Sequence, residues 1–422
     1  MNSLPSTRSP SVPRPRVLLL SPVLPDATGS GIEQRAHRWV VRLAATHEID
    51  LVVVWRAGRL PRGADEAVRR LPVRRGLCLA PTPRRRHYLA CALTRALTSL
   101  ATGRAGAFGP RPEWAFLTRP ARRELDGWIG THRFDRAVCF RVQMLDYVRR
   151  CVRLGAVPAE KVEVDFDDWE SETRRSLAAI FRRRGLPGRA RRLEWQARQA
   201  ARLERAIAET FGCIRVAAPE DAAALAARFP RVRVAAMPNG PAALPVPLPP
   251  VAPAERRRAA FVGTLNYFPN EDAVRFFAAE VLPRLRAEDP RWTLIVAGLG
   301  ALPALQQALA ACDGVEFAGA VADVAEIYRR AGLVVAPVRA GGGTKIKVVE
   351  GLAHGRPVIA TTHAARGWGL RDGETFLRAD SADEWVAACR RLAADADLSR
   401  RLAGAGREQA ARFLPLAETT AG

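Results

Sequence analysis

The sequence predicts an α/β protein of two open, parallel-sheet domains that face each other across a cleft. Three observations carry this reading. Apolar runs of strand length alternate with helical stretches from end to end, the pattern of parallel sheets covered on both faces. A Pro-rich run, NGPAALPVPLPPVAPAERRR (239–258), splits the alternation into two halves of similar size. The length of 422 residues exceeds what one core ordinarily holds, at about 150 residues per domain.

The elements follow in order. Residues 1–15 are rich in Pro and Ser, lack the apolar core of a signal peptide and read as a loose tail. The strand RVLLLSP (16–22) then leads through DATGSG into the helix IEQRAHRWVVRLAATH and the strand IDLVVVW, a β-α-β unit. Further strands are expected at 135–140, 161–166, 213–218 and 231–237. A long Arg/Ala/Glu helix is expected over 189–209, with Trp195, Ala201 and Leu203 set to face the sheet. These make a first domain over 16–238. Each proline of 239–258 fixes φ and removes an N–H, so this segment is a semi-rigid connector. The alternation restarts with RAAFVG, WTLIVAG, VEFAG, LVVAPV and PVIAT, separated by helices at 270–287, 302–311, 323–331 and 344–354. That second domain, 259–398, is followed by a C-terminal helix and tail over 399–422. Both halves read as Rossmann-like, and ligands of such sheets sit at the carboxyl ends of the strands.

Composition narrows the function classes. A hydrophobic content of 48% with 26% charged residues is that of a globular chain. No apolar run reaches the roughly 20 residues that cross a bilayer, so residence in the cytoplasm is the expectation. The seven cysteines are scattered, with no C-x-x-C pair and no histidine at zinc-ligand spacing, and read as small buried hydrophobes rather than a metal site. The net charge of +23 raises the question of nucleic acid. Only Lys161, Lys345 and Lys347 are lysines, however, and the basic runs do not interleave with aromatics, so no nucleic-acid partner is expected. One basic segment, PRRRHYLACALTRALTSLATGR (83–104), has the look of an amphipathic helix suited to peripheral contact with an anionic membrane.

The densest chemistry lies in LVVAPVRAGGGTKIKVVEGLAHGRPVIAT (333–361). An apolar strand runs into Gly341, Gly342 and Gly343, and a helix is expected to start at Thr344, its plausible N-cap. Glycines let backbone N–H groups approach a ligand, and the helix start adds partial positive charge. Lys345, in the first turn, opposes the helix dipole unless an anion lies between them. These are features of a diphosphate site; a flexible glycine turn with solvated lysines is the plainer reading. On the helix itself Ile346, Val349, Leu352 and Ala353 form the apolar face, and Glu350 falls one turn after Ile346. A carboxylate so placed needs donors, which ribose hydroxyls would supply; otherwise it turns to solvent or pairs with an arginine.

The first domain offers weaker signals. Gly29, Ser30 and Gly31 follow the first strand and precede a helix, a turn able to close over a phosphate or an acceptor. Asp165, Asp167, Asp168 and Glu170 end a strand. They are placed either to orient an acceptor hydroxyl or act as base, or to cap the next helix through Asp168 or Ser171.

The stretch 333–361 resembles the donor-site signature of glycosyltransferase family 4, whose helix carries a Glu before a G-x-P-V-[IV]-[AS]-T ending, here Gly355 to Thr361. The resemblance runs back through FVGTLNYFPNEDAVRFFAAEVLPRL (261–285), WTLIVAGLG and VEFAGAVADVAEIYRRA, and more weakly over the first half. It implies a GT-B fold, a nucleotide-sugar donor on the second domain, and a glycan or lipid-linked acceptor on the first. It also implies transfer with retention, no metal and no cofactor, in exopolysaccharide or cell-envelope glycan synthesis. By that resemblance Glu350 holds the ribose. Gly263, Thr264 and the stretch Gly342 to Thr344 approach the diphosphate, and the backbone near Val321 meets the base. The implied donor set also takes in Asn266, Gly298 and Gly341. The family usually has a first glutamate eight positions before the ribose-binding one, and here that place is Gly342. It often has an Arg/Lys pair after the first strand of the second domain, which GTLNYFPNED lacks. Neutralisation of the leaving diphosphate therefore falls to Lys345, Lys347, Arg339 or backbone N–H groups.

Rival readings are fewer. A dinucleotide-dependent oxidoreductase needs G-x-G-x-x-G after a strand and an acid ending the next, and GSGIEQ, GLGALP and Arg56 do not fit. A non-catalytic sugar-nucleotide-binding module and a GT-B nucleotide-sugar epimerase remain as alternatives.

Overall fold

The computed structural model describes residues 14–55, 60–81, 117–240 and 244–414. The basic segment 83–104 and Arg56 lie outside the described residues, as do 1–13 and 415–422. The first half carries strands β1 (Arg16–Ser21), β2 (Glu48–Val54), β3 (Arg75–Leu79), β4 (Arg136–Phe140), β5 (Val162–Asp167), β6 (Cys213–Val216) and β7 (Arg233–Ala236). The second carries β8 (Arg258–Val262), β9 (Thr293–Ala297), β10 (Val315–Gly319), β11 (Leu333–Ala336), β12 (Val358–Ala360) and β13 (Leu377–Arg378).

They form a seven-stranded sheet ordered β3-β2-β1-β4-β5-β6-β7 and a six-stranded sheet ordered β10-β9-β8-β11-β12-β13. Neighbouring strands pair in parallel throughout, as β1 does with β2 and β4, and β8 with β9 and β11. Runs such as Val17–Leu20 and Leu294–Ala297 are fully buried, because helices cover both faces. In each sheet the chain starts in the middle, builds outward, then returns to the other side. That reversal leaves a crevice at the carboxyl ends of β1 and β4 in one sheet and of β8 and β11 in the other. The fold is α/β with two facing Rossmann-like sheets.

Several elements differ from the sequence expectation. Strands β3 and β13 and the helices Arg119–Ile129, Leu145–Arg153 and Pro219–Arg228 were not anticipated. The expected helix over 270–287 runs as Phe268–Phe276 and Leu282–Glu288, joined by a π-turn at Phe277–Val281 where the Leu282 N–H reaches Phe277 O. Pro283, with no N–H to give, follows that widened turn. In the helix Pro187–Ala208 the buried stripe is Ala190, Ala197, Ala200, Leu203, Glu204 and Ile207. Trp195 therefore does not face the sheet; it is 46% exposed.

The Pro-rich connector is strapped to the second sheet. Arg356 donates to Pro249 O at 2.7 Å, Arg407 donates to Pro245 O at 2.7 Å, and the Leu248 N–H reaches His354 O at 3.2 Å. The final helix, Ala396–Ala411, packs on Ile346–Ala353 and ends beside the first domain, where Arg38 donates to Phe413 O at 2.8 Å. No helix among the described residues is long and apolar enough to cross a membrane.

Candidate active site between the two sheets

The triple-glycine turn leaves β11 and enters the helix Ile346–Ala353. Lys345, not Thr344, holds the N-cap position, and its side chain makes no cap bond. Thr344 is buried, and its hydroxyl accepts from Nδ2 of Asn239, the first residue of the connector, at 2.9 Å, which corrects the expected cap. The helix starts two residues later than expected, at Ile346. Lys345 is 5% exposed, and its ammonium donates to Gly342 O at 2.6 Å and Gly343 O at 2.8 Å. Across planar trans peptides the N–H groups of Gly343 and Thr344 point the opposite way. Among the described residues no acceptor meets those two donors. The turn thus offers backbone donors on one side and is braced by a cation on the other.

Gly342 and Gly343 have no room for side chains. A Cβ at 342 would strike Thr173 Oγ1 and the Asp168 side chain, and one at 343 would strike Asp168 Oδ1. Gly343 also sits at φ 60°, and the Gly341 N–H donates to Ser176 Oγ at 3.1 Å. The first domain therefore closes directly over this turn.

Lys347 occupies the crevice between β8 and β11. Its ammonium donates to Asn270 Oδ1 at 3.0 Å and lies 5.3 Å from the centre of the Phe261 ring. A Cβ on Gly263 would lie 3.0 Å from Lys347 Cε, so the glycine keeps the strand end open to the ammonium. Thr264 O accepts from Asn270 Nδ2 at 2.8 Å, which fixes that amide toward the lysine. Burial lowers the pKa of Lys345 and of Lys347 to about 8. Gly298 lies against the Gly263 carbonyl and donates to Gly319 O at 2.7 Å, and Asn266 packs beside Gly300. Val321 continues that rim beyond β10, half-buried against the second core.

Glu350 is half-buried, and burial raises its pKa, while Lys347, Tyr328 and Gln34 pull it back. The Tyr328 hydroxyl lies 3.4 Å from Glu350 Oε2, and Gln34 hydrogen-bonds to the carboxylate from the first domain's helix Gly31–Ala44. Ile346, one turn earlier, meets the same helix start: a Cβ on Gly31 would come within 2.9 Å of Ile346 Cδ1. So the face carrying Ile346 and Glu350 looks across the cleft at the Gly29–Gly31 turn, while Val348, Val349 and Leu352 are buried in the second core. Ser30 is committed to its own helix, its N–H and hydroxyl both donating to Glu33 Oε2 at 2.7 and 2.6 Å.

Arg339 does not join this group. It donates to Asp272 Oδ2 at 2.8 Å and lies over the Phe276 ring, whereas Arg366, paired with Asp221, stands beside the turn with the two lysines.

The acidic strand end is more ordered than the sequence reading allowed. Asp165 accepts from Arg35 Nε and Nη2 at 2.9 and 2.8 Å, from Trp39 Nε1 at 2.6 Å and from the Asp167 N–H at 2.8 Å. Arg35 also donates to Met237 O and Asn239 Oδ1. Arg141 Nη1 donates to Asp167 Oδ2 at 2.8 Å and pairs with Asp168 at 3.4 Å. Burial raises the Asp167 pKa against the pull of Arg35 and Arg141. Among the described residues Arg141 (φ 69°) and Asp167 (φ 57°) alone of non-glycines hold positive φ, and they touch each other at the cleft. Such strain is stored where surroundings over-determine the backbone, commonly at functional sites. Neither Asp168 nor Ser171 caps the next helix. Trp169 holds that position, and the Ser171 hydroxyl donates to Glu204 Oε2 at 2.7 Å. Asp168 instead faces the glycine turn.

Sequence reading missed Arg35, Asn239 and Asn270. Arg35 had a legible signal, a charged residue on the buried stripe with Ala36, Trp39, Val40 and Leu43. The two asparagines had none.

Comparison with known proteins bears on the fold. The structure is similar to sucrose-phosphate synthase from Thermosynechococcus elongatus at 17% identity and TM-score 0.60, covering 95% of each chain. It is similar to HepE of Anabaena in complex with UDP and glucose at 12% identity and TM-score 0.55, covering 95% of each chain. It is also similar to an E. coli trehalose-6-phosphate protein bound with UDP-2-fluoro glucose at 13% identity and TM-score 0.59, covering 95% of this chain and 96% of that one. Among curated proteins none matches. The fold of the chain is the GT-B fold, two facing Rossmann-like sheets. Residues 256–395 match the family model described as glycosyl transferases group 1.

Proposed function

We propose that the chain transfers a hexosyl group from a UDP- or GDP-sugar to a hydroxyl of a glycan or lipid-linked acceptor, with retention at the anomeric carbon. The observation that carries this is the convergence on one cleft of the unpaired Gly343 and Thr344 N–H groups, the Lys347 ammonium and the Glu350 carboxylate. The N–H groups and Lys347 take the diphosphate, Lys345 braces the turn from behind, and Glu350 exchanges its protein partners for the two ribose hydroxyls. The reading includes no metal and no cofactor.

In the transfer the bond from the anomeric carbon to the diphosphate oxygen breaks, and its electron pair leaves with the nucleotide. The acceptor oxygen bonds to the same carbon, and its proton passes to the leaving phosphate. Charge gathers on that phosphate, so preorganised donors beside it supply the largest stabilisation. Contact of Asp168 and Thr173 with the turn excludes water from the reacting centre and suppresses donor hydrolysis. The same reading places the enzyme in the cytoplasm, at the inner face of the membrane, in exopolysaccharide or cell-envelope glycan assembly.

A thermal-shift panel of UDP, GDP, ADP and their sugar conjugates tests it. One nucleotide series stabilises the wild type, and Glu350→Ala loses that shift. A variant stabilised as strongly as wild type takes Glu350 out of the site.

A further inference from the structure

Asn270 has no part in the donor reading above, yet it is built into the crevice between β8 and β11. It stands in the first turn of the helix Phe268–Phe276, where its backbone N–H donates to Tyr267 O at 2.9 Å, and it is 5% exposed. A buried amide needs partners at both ends of its side chain. Nδ2 donates to Thr264 O at 2.8 Å, and Oδ1 accepts from the Lys347 ammonium at 3.0 Å. These partners settle which end is which: turned over, the NH2 would meet the ammonium and the oxygen would meet a carbonyl. Gly263 packs against both groups, since a Cβ there would lie 3.1 Å from Asn270 Nδ2 and 3.0 Å from Lys347 Cε.

Other buried cations of the chain are matched differently. Arg35 pairs with Asp165, and Arg215 pairs with Glu163. Lys347 is as deeply placed, but its hydrogen-bond partner among the described residues is a neutral amide, with the Phe261 ring 5.3 Å away. The charged groups that act on it are Lys345 and Glu350 of its own segment, both through space. An ammonium carries three protons, so one bond to Asn270 leaves two for an anion. A tip fixed before the ligand arrives also spares the ordering of a long, flexible side chain on binding.

Resting on the donor reading above, we propose that Asn270 is a positioning residue of the donor site, which aims the Lys347 ammonium at the diphosphate and, being neutral, leaves that charge whole. A carboxylate at the same place would hold the ammonium as firmly but would offset its charge and repel the diphosphate. An alanine would leave the charge whole but the tip unheld. The amide meets both demands.

The chain has three lysines, so lysine-labelled protein gives three side-chain NMR signals, and Lys347→Met identifies one of them. In Asn270→Asp, which matches the native residue in size, the Lys347 signal titrates with a midpoint about one pH unit above that of the wild type. Calorimetry at pH 7 with UDP, GDP and ADP gives an independent reading. Asn270→Ala weakens the nucleotide that the wild type binds by about tenfold. In a Lys347→Met background the same change weakens it no further, because its effect passes through the lysine. An unmoved Lys347 midpoint in Asn270→Asp overturns the proposal, as do penalties of Asn270→Ala and Lys347→Met that simply add. A wild type that binds none of the three nucleotides removes the donor reading itself, whatever the titration shows.

Discussion

Lys345 and Lys347 account for two of the chain's three lysines, and both lie buried within one turn of the helix start. Burial holds each near a pKa of about 8 against an ordinary 10.5. Below that pH both are charged, Lys347 to meet an anion and Lys345 to brace the turn; above it the free protein sheds the protons that a diphosphate requires. UDP affinity therefore falls as pH rises through about 8, by up to about tenfold per pH unit for each lysine involved. Calorimetry from pH 7 upward would reveal this, and Lys347→Met should flatten the curve; a level wild-type profile separates the lysines from the ligand. The sign for stability is opposite. Between about 8 and 10.5 the unfolded chain binds more protons than the folded one, so stability rises with pH over that window. The positive φ of Arg141 and Asp167 belongs to the same scale. Strain of about 1–3 kcal/mol each is outweighed by the cost of leaving a buried carboxylate unpaired, about 3–5 kcal/mol.

At the scale of elements the glycine turn is the best-determined piece. Gly343 and Gly355 both hold positive φ, at 60° and 72°, but only a Cβ at 343 meets another atom, Asp168 Oδ1. Gly355→Ala therefore costs backbone strain alone, about 1–2 kcal/mol. Gly343→Ala costs that and also pushes Asp168 from the turn, so its donor KM rises while Gly355→Ala keeps the wild-type value. Steady-state kinetics on the pair decides, and equal KM values would dismiss the interdomain contact. This turn, its lysines and Glu350 were legible because glycine runs, rare lysines and an acid beside a core stripe depart from the surrounding Arg/Ala background. The helix Pro187–Ala208 was legible as a helix but not in its facing. Its buried stripe is mostly alanine, which differs too little from its neighbours to orient a helix, so Trp195 was assigned inward. Strand β13, two residues long, gives no periodicity to read. The Thr344 side chain was mistaken for a cap because its partner, Asn239, is 105 residues away in sequence.

For the whole molecule, the helical hairpin of Glu170–Arg183 and Pro187–Ala208 reaches from the first domain to the second. Phe181 stacks on Phe268 with ring centres 4.5 Å apart, and Asp272, wholly buried, binds Arg184 from the hairpin and Arg339 from its own domain. This clasp holds the cleft closed. Arg184→Ala leaves Asp272 still paired by Arg339, so the fold survives while closure weakens. Small-angle scattering of that variant shows a larger radius of gyration without ligand and a wild-type value with nucleotide-sugar; identical curves for the two proteins would deny the clasp that role. The two-body architecture was legible from alternation and prolines alone, whereas the clasp pairs residues 87 or more positions apart and left no local trace.

The strapping of the Pro-rich segment has a mechanical corollary. Residues 244–257 are fastened to the second body by Arg356, Arg407 and Leu248, so they travel with it as cargo. A swing of the second body therefore does not bend within this segment, and the crossing at Phe413 stays fixed to the last helix.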